Sequence, residues 1–201
     1  MAPLIIVGFA VFQSNKSNNG KYLQNVREGK LRNYIKCNGD DIFDHLSKFR
    51  VERSKSNNNL VSIRCCYSNK YLRRVSEEST FIVAAADAVD ENPSNWSCTL
   101  FRPLPIDDET YRFQHVQNRN NLCHWVSPGN EYDGCLAARL SSKDEHGWDR
   151  FTIIDWESLV ILPKHVAIKG YNGKYLVYRS GFRDELMEFA VTDIGYHKVG
   201  E

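Results

Sequence analysis

Nowhere does this chain carry a long apolar segment, a block of like charge or a Cys-x-x-Cys pair. Its longest apolar run, the nine residues from Leu4 to Phe12, is under half of the ~20 that a helix needs to cross a bilayer. The run has no positive charge before it and no small-residue cleavage pattern. It therefore reads as a first strand rather than a secretory leader, and the protein is expected to be cytoplasmic or nucleocytoplasmic with no transmembrane segment. Basic residues never extend beyond the pair Arg73-Arg74, and the net charge is +1. The electrostatic footprint of a nucleic-acid binder is missing, so no nucleic-acid partner is expected. The six cysteines (37, 65, 66, 98, 123 and 135) form no Cys-x-x-Cys and no Cys/His spacing suited to zinc. They read as free thiols in a reducing compartment, and no metal or cofactor is expected. A sustained 3.6-residue apolar period is also missing, which excludes a helical fold.

What the chain does have is a recurring signature. Asn19-Gly20-Lys21-Tyr22-Leu23 returns as Asn172-Gly173-Lys174-Tyr175-Leu176, with Ser68-Asn69-Lys70-Tyr71-Leu72 between them and a degenerate copy at Asn120-Asn121-Leu122-Cys123. Aligning Tyr22, Tyr71 and Leu122 gives intervals of 49 and 51 residues. An aromatic strand follows each copy, at Phe49, Phe101 and Phe151. One supersecondary unit of about fifty residues is thus used three times. A fourth copy opens at His165.

Each unit reads as four short strands. In the second, Val61, Ile63 and Cys65 alternate with Ser62 and Arg64, the period of a half-buried strand. Tyr67–Lys70 supplies a turn, Tyr71–Val75 the return strand, Thr80–Ala86 a third strand and Cys98–Phe101 a fourth. The third unit repeats this with Tyr111/Phe113/His115, Cys123–Val126, Leu136–Leu140 and Phe151–Ile154. Polar stretches at Asn38–Asp41, Asp87–Asn95 and Ser141–Asp149 separate strands three and four, and their Asp and Ser residues can cap a single helical turn. The fold class expected is all-β, with twelve strands in a three-fold arrangement, because no single unit can bury its Phe/Tyr/Leu face alone. Tyr22, Tyr71, Leu100, Phe101, Phe113, Phe151 and Ile153 are expected in or near the shared core.

The string from Val89 to Leu104, with Asn92-Pro93-Ser94-Asn95-Trp96 at its centre, closely resembles the amaranthin-type plant agglutinins. So do Tyr67–Leu72, Phe151–Ser158 and Lys169–Leu176, which follow the family's order along essentially the whole chain. The resemblance implies a β-trefoil over residues 1–157, a linker at 158–164 and a truncated first repeat of a second trefoil at 165–201. It implies a lectin for galactose/N-acetylgalactosamine glycans of the T-antigen type, glycoprotein partners, a shallow non-catalytic site, and a homodimer formed through the second-domain segment. Members also occur fused to an aerolysin-like pore-forming part, so the alternative implied is an interaction or targeting module with a decayed sugar site. The family's first-domain contacts correspond here to the turn Ser76, Glu77, Glu78, Ser79, Thr80 and Phe81. Only Phe81 in that turn carries a ring, so the turn offers polar groups and little stacking platform. The Gln-x-Trp element of ricin-type trefoils is not found.

Other constellations read as structural. Asp107-Asp108-Glu109 and Asp40-Asp41 are adjacent acids that diverge on extended chain, unlike a glycosidase pair. Cys123 and His124 diverge likewise, so they do not form a nucleophile–base couple. Trp96 and Trp148 precede the aromatic strands of two units and are expected to pack in the core or at the rim. The Asn-rich tracts at 15–19 and 57–59 read as turns. In the tail, Val166–Ile168, Tyr175–Tyr178 and Leu186–Val191 are expected to form three strands with an uncovered face, prone to self-association or to clipping after Pro163.

Overall fold

The first and last strands of the three units close on one another into a six-stranded barrel. The computed structural model describes residues 7–14, 20–159, 167–180 and 185–192. They belong to two compact units, Met1–Leu159 and Val160–Glu201. In the first, repeat one supplies β1 (Gly8–Ser14), β2 (Tyr22–Asn25), β3 (Ile35–Gly39) and β4 (Phe49–Arg53). Repeat two supplies β5 (Val61–Cys65), β6 (Lys70–Arg74), β7 (Ile82–Ala86) and β8 (Leu100–Pro105). Repeat three supplies β9 (Thr110–His115), β10 (Asn121–His124), β11 (Leu136–Leu140) and β12 (Phe151–Asp155). The barrel runs β1-β4-β5-β8-β9-β12 and back to β1, antiparallel at each step. The middle strands form the hairpins β2–β3, β6–β7 and β10–β11. This is a β-trefoil.

Three hydrogen bonds join the hairpins cyclically. The Cys37 amide donates to the Gly134 carbonyl (2.7 Å), Ala138 to Thr80 (2.8 Å) and Ala84 to Asn33 (2.8 Å). Single bridges Lys36↔Cys135, Phe81↔Ala137 and Tyr34↔Val83 accompany them in the same order. Each repeat therefore satisfies the otherwise open backbone of the next. Closing this ring needs small residues near the axis, and Cys37, Ala84 and Ala138 are all buried.

The recurring motif has a conformational cause. Gly20, Asn69 and Gly173 all stand at positive φ (61°, 57° and 75°) immediately before the lysine, a region that Gly enters freely and Asn at low cost. Lys21 and Lys70 then pair with Asp40 and Asp87 on the return side of their hairpins. The expected register is off by one in the third repeat, however. The bulges fall between Tyr22/Leu23, Tyr71/Leu72 and Asn121/Leu122, so Leu122 matches Leu23 and Leu72 rather than the tyrosines.

The core follows from this register. Leu23, Leu72 and Leu122 are buried with Phe12, Phe49, Phe101, Phe113, Phe151 and Ile153. Phe12 meets Phe49 and Phe113 edge-on, each with ring centroids 5.7 Å apart. Truncating one of the buried phenylalanines to Ala would cost roughly 3–5 kcal/mol. Tyr22 and Tyr71 are only half-buried, and Leu100 lies in a satellite cluster with Leu60 and Cys98. A 3-10 turn at His45–Ser47 is capped by Asp44, whose carboxylate accepts from the Leu46 amide, and a single helical turn α1 spans Trp156–Leu159. Ser158 and Leu159 thus end a helix, while 160–164, with Pro163, lies outside the described residues, as does the Asn tract at 15–19.

Among its described residues the second unit shows one hairpin, β13 (Tyr175–Ser180) with β14 (Glu185–Val191). Its bulge falls between Tyr175 and Leu176, the same place as in the other hairpins. The third strand expected at Val166–Ile168 is not formed by Ala167 or Ile168, and Val166 lies outside the described residues. Lys169 alone bridges Tyr175.

Candidate functional site

The turn Ser76–Phe81 joins β6 to β7 and is tightly organised by its own polar groups. Ser76 Oγ accepts from the Ser79 amide (3.3 Å) and donates to the Glu78 carboxylate (3.0 Å). Ser79 Oγ accepts from the Phe81 amide (3.2 Å). Beneath the turn, the buried Arg74 guanidinium donates to the carbonyls of Glu77 (3.0 Å) and Ser79 (3.4 Å) and to the Gln117 side chain (2.8 Å). Glu77 and Glu78 project into solvent, Thr80 is half-buried, and its carbonyl belongs to the hairpin ring. Such fixation leaves little ordering entropy to lose when a ligand binds.

Phe81 is not the isolated ring that the sequence suggests. It stacks on Tyr132, with centroids 4.8 Å apart and planes 16° apart. Trp125 meets it edge-on at 6.4 Å and Tyr34 lies 6.2 Å away. All four rings are half-buried. The three-fold pattern explains the grouping. Tyr34, Phe81 and Cys135 each directly precede the inner hairpin strand, so they converge at the axis. The third repeat substitutes a thiol there and supplies Tyr132 from the preceding turn instead. The Arg139 guanidinium covers the Trp125 face at 3.6 Å, a cation–π contact. Burial, with Tyr132 close by, pushes the Tyr34 hydroxyl above its ordinary pKa, so it stays a neutral donor and acceptor. The cluster offers apolar ring faces beside exposed carboxylates and hydroxyls. The available sequence signal was the pairing of Tyr34 with Ile35 and of Phe81 with Ile82, whereas Tyr132 and Trp125 sit at non-repeating positions.

The remaining candidates stay apart from this cluster. Asp107 caps its own turn, and the amides of Glu109 and Thr110 hold its carboxyl below the usual range. Asp40 pairs with Lys21, and Asp41 accepts from the Phe43 amide. Cys123 and His124 are both buried in β10; burial pushes the Cys123 thiol up to about 12 and the His124 imidazole down. Trp96 and Trp148 are half-buried at the rim, Trp96 under Arg73 at 5.0 Å. All six cysteines are free thiols. Among the described residues there is no cluster suited to a metal ion, and no helix is long and apolar enough to cross a membrane.

The family described as Agglutinin domain matches residues 7–155. No curated protein matches the chain in sequence. Solved structures do share the fold. The designed three-fold symmetric protein ThreeFoil is 12% identical with a TM-score of 0.54, over 74% of this chain and 99% of its own. SeviL bound to the asialo-GM1 saccharide is 14% identical with a TM-score of 0.54, over 75% and 99%. The Macrolepiota procera ricin B-like lectin in complex with lactose is 12% identical with a TM-score of 0.53, over 75% and 97%.

Proposed function

Because the chain belongs to the Agglutinin-domain family of amaranthin type, we propose that it is a non-catalytic lectin for galactose- or N-acetylgalactosamine-bearing glycans. The observation that carries this reading is the half-buried aromatic cluster of Phe81, Tyr132, Trp125 and Tyr34 beside the pre-ordered turn Ser76–Phe81. A galactoside presents one apolar face to an aromatic ring and its hydroxyls to a few fixed polar groups. Phe81 or Tyr132 is the platform. The exposed Glu77 and Glu78 accept from the sugar hydroxyls, and Ser76 and Ser79 hold the turn in shape.

A shallow site of this kind is weak. A Kd near 1 mM corresponds to about −4 kcal/mol, so useful affinity comes from linked sites. The test is a glycan array on the whole chain, followed by calorimetry with the best galactoside. Phe81→Ala combined with Tyr132→Ala is expected to abolish the interaction, and Ser76→Ala to weaken it by loosening the turn. A folded protein that stays silent on the array, or binding that survives loss of both rings, would overturn the reading. Silence would favour an interaction module instead.

A further inference from the structure

A second concave site lies where repeat one meets repeat two, away from the turn Ser76–Phe81. Its floor is a network of three side chains. Glu52 on β4 accepts from the Tyr71 hydroxyl (2.9 Å) and pairs with Arg64 Nη2 on β5 (3.1 Å). Arg64 also lies 5.6 Å from the centre of the Tyr71 ring. The rim is fixed from the loop after β7, where the Glu91 carboxylate accepts the amides of Lys55 (2.8 Å) and Ser56 (3.0 Å). Asn69 and Asp87 complete the opening.

The three-fold repeat supplies internal controls for what the fold needs here. Strand register matches Glu52 to Leu104 and Ile154, Arg64 to Gln114 and Gln13, and Tyr71 to Asn121 and Tyr22. Two of the three repeats therefore build the same strands without a carboxylate–guanidinium–phenol network. Its presence at the junction of repeats one and two alone is not required by the architecture. Each carboxylate of the cleft is already matched, Glu52 by Arg64 and Arg50, Asp87 by Lys70, and Glu91 by the amides of Lys55 and Ser56. Fixed planar donors and acceptors beside a half-buried ring suit a neutral, hydroxyl-rich ligand.

We propose that this cleft is a second carbohydrate subsite, taking a neutral pyranoside against Tyr71 with its hydroxyls bridging Arg64 and Glu52. The proposal rests on the carbohydrate reading above and extends it to two sites on one chain. Two weak sites on one body allow a branched or clustered glycan to be held with an avidity that neither reaches alone.

The test follows backbone amide resonances of the whole chain during titration with methyl pyranosides of galactose, N-acetylgalactosamine, glucose and mannose. The expected result is that at least one sugar shifts the amides of Asn69 and Ala88. The paired substitution Glu52→Leu with Arg64→Gln installs the residue types of Leu104 and Gln114, the pair already present where repeat two meets repeat three, so the barrel is retained. It is expected to remove the Asn69/Ala88 response while leaving any response at Phe81 and Tyr132. Shifts confined to Phe81 and Tyr132 would overturn the second subsite and leave the first intact. An Asn69/Ala88 response that persists in the paired variant would overturn its placement. Silence at both places would overturn this proposal together with the lectin reading.

Discussion

Truncating Leu72 and its neighbour Tyr71 separately tests the register on which the fold description depends. Leu72 is 2% exposed and faces a small central void together with Leu23 and Leu122. Leu72→Ala would enlarge that void, and walls drawn from three repeats cannot collapse into it independently. The loss is then roughly 3–4 kcal/mol, within the range for buried leucines. Tyr71 is half-buried and gives up one hydrogen bond, to Glu52, which is worth about 1 kcal/mol net. With its partial packing, Tyr71→Ala is expected to cost about 1–2 kcal/mol. At ~2–4 °C per kcal/mol for a domain of this size, the melting temperature falls by roughly 6–16 °C in the first case and 2–8 °C in the second. Tryptophan fluorescence reads this directly, because all four tryptophans (96, 125, 148 and 156) lie in the first compact unit. Leu23→Ala and Leu122→Ala should fall within about 1 kcal/mol of Leu72→Ala, since the three positions are equivalent. If Tyr71→Ala proved as damaging as Leu72→Ala, the tyrosines would belong to the core and the register would be wrong.

Asp149→Ala is expected to destabilise by about 3–5 kcal/mol in urea titration, because it strands Arg112, whose Nε donates to the fully buried Asp149 carboxylate at 2.7 Å. Replacing Arg112 by Met in the same chain should recover part of that loss. Stability should also fall on acidification. Burial lowers the pKa of His115 and His124 below their ordinary value, so the unfolded chain binds protons more readily. The stability present above pH ~6.5 is therefore lost as pH drops through that value toward the folded pKa values. Urea midpoints at pH 7.5, 6 and 5 check this, and His124→Asn, which copies Asn25 at the equivalent position, should flatten the slope.

The trefoil was legible because a fifty-residue repeat leaves marks that single-sequence periodicity can read: Gly20 and Asn69 in left-handed turns, and Phe49, Phe101 and Phe151 at matched strand starts. The one-residue slip at Leu122 arose because Asn121 replaces the tyrosine, so the most visible residue of the motif vanished while its buried leucine remained. The four-ring cluster was harder to read. Tyr34 and Phe81 repeat, but Tyr132 fills the gap left by Cys135 from a different position in its loop, and only the convergence at the axis reveals the match. The Glu52–Arg64–Tyr71 network was invisible for a related reason. Its members come from three strands with nothing distinctive about their local sequence, and Tyr71 reads there as a repeat marker and a core candidate.

The closure of the barrel between β1 and β12 has a consequence on the ribosome. Phe12 pairs with Ile153 and Ala10 with Asp155, so the first strand made must wait for the last. At 5–20 residues per second, that gap lasts on the order of ten seconds. During that interval the nascent chain holds β1 with one side unsatisfied and the phenylalanines of repeats one and two without their third wall. The same ring that leaves the finished barrel with no free edge gives the unfinished one two, and hairpins completed early cannot shorten the wait. Codon changes that slow translation between residues 110 and 150 should therefore lower soluble yield more than equal pauses placed after residue 160.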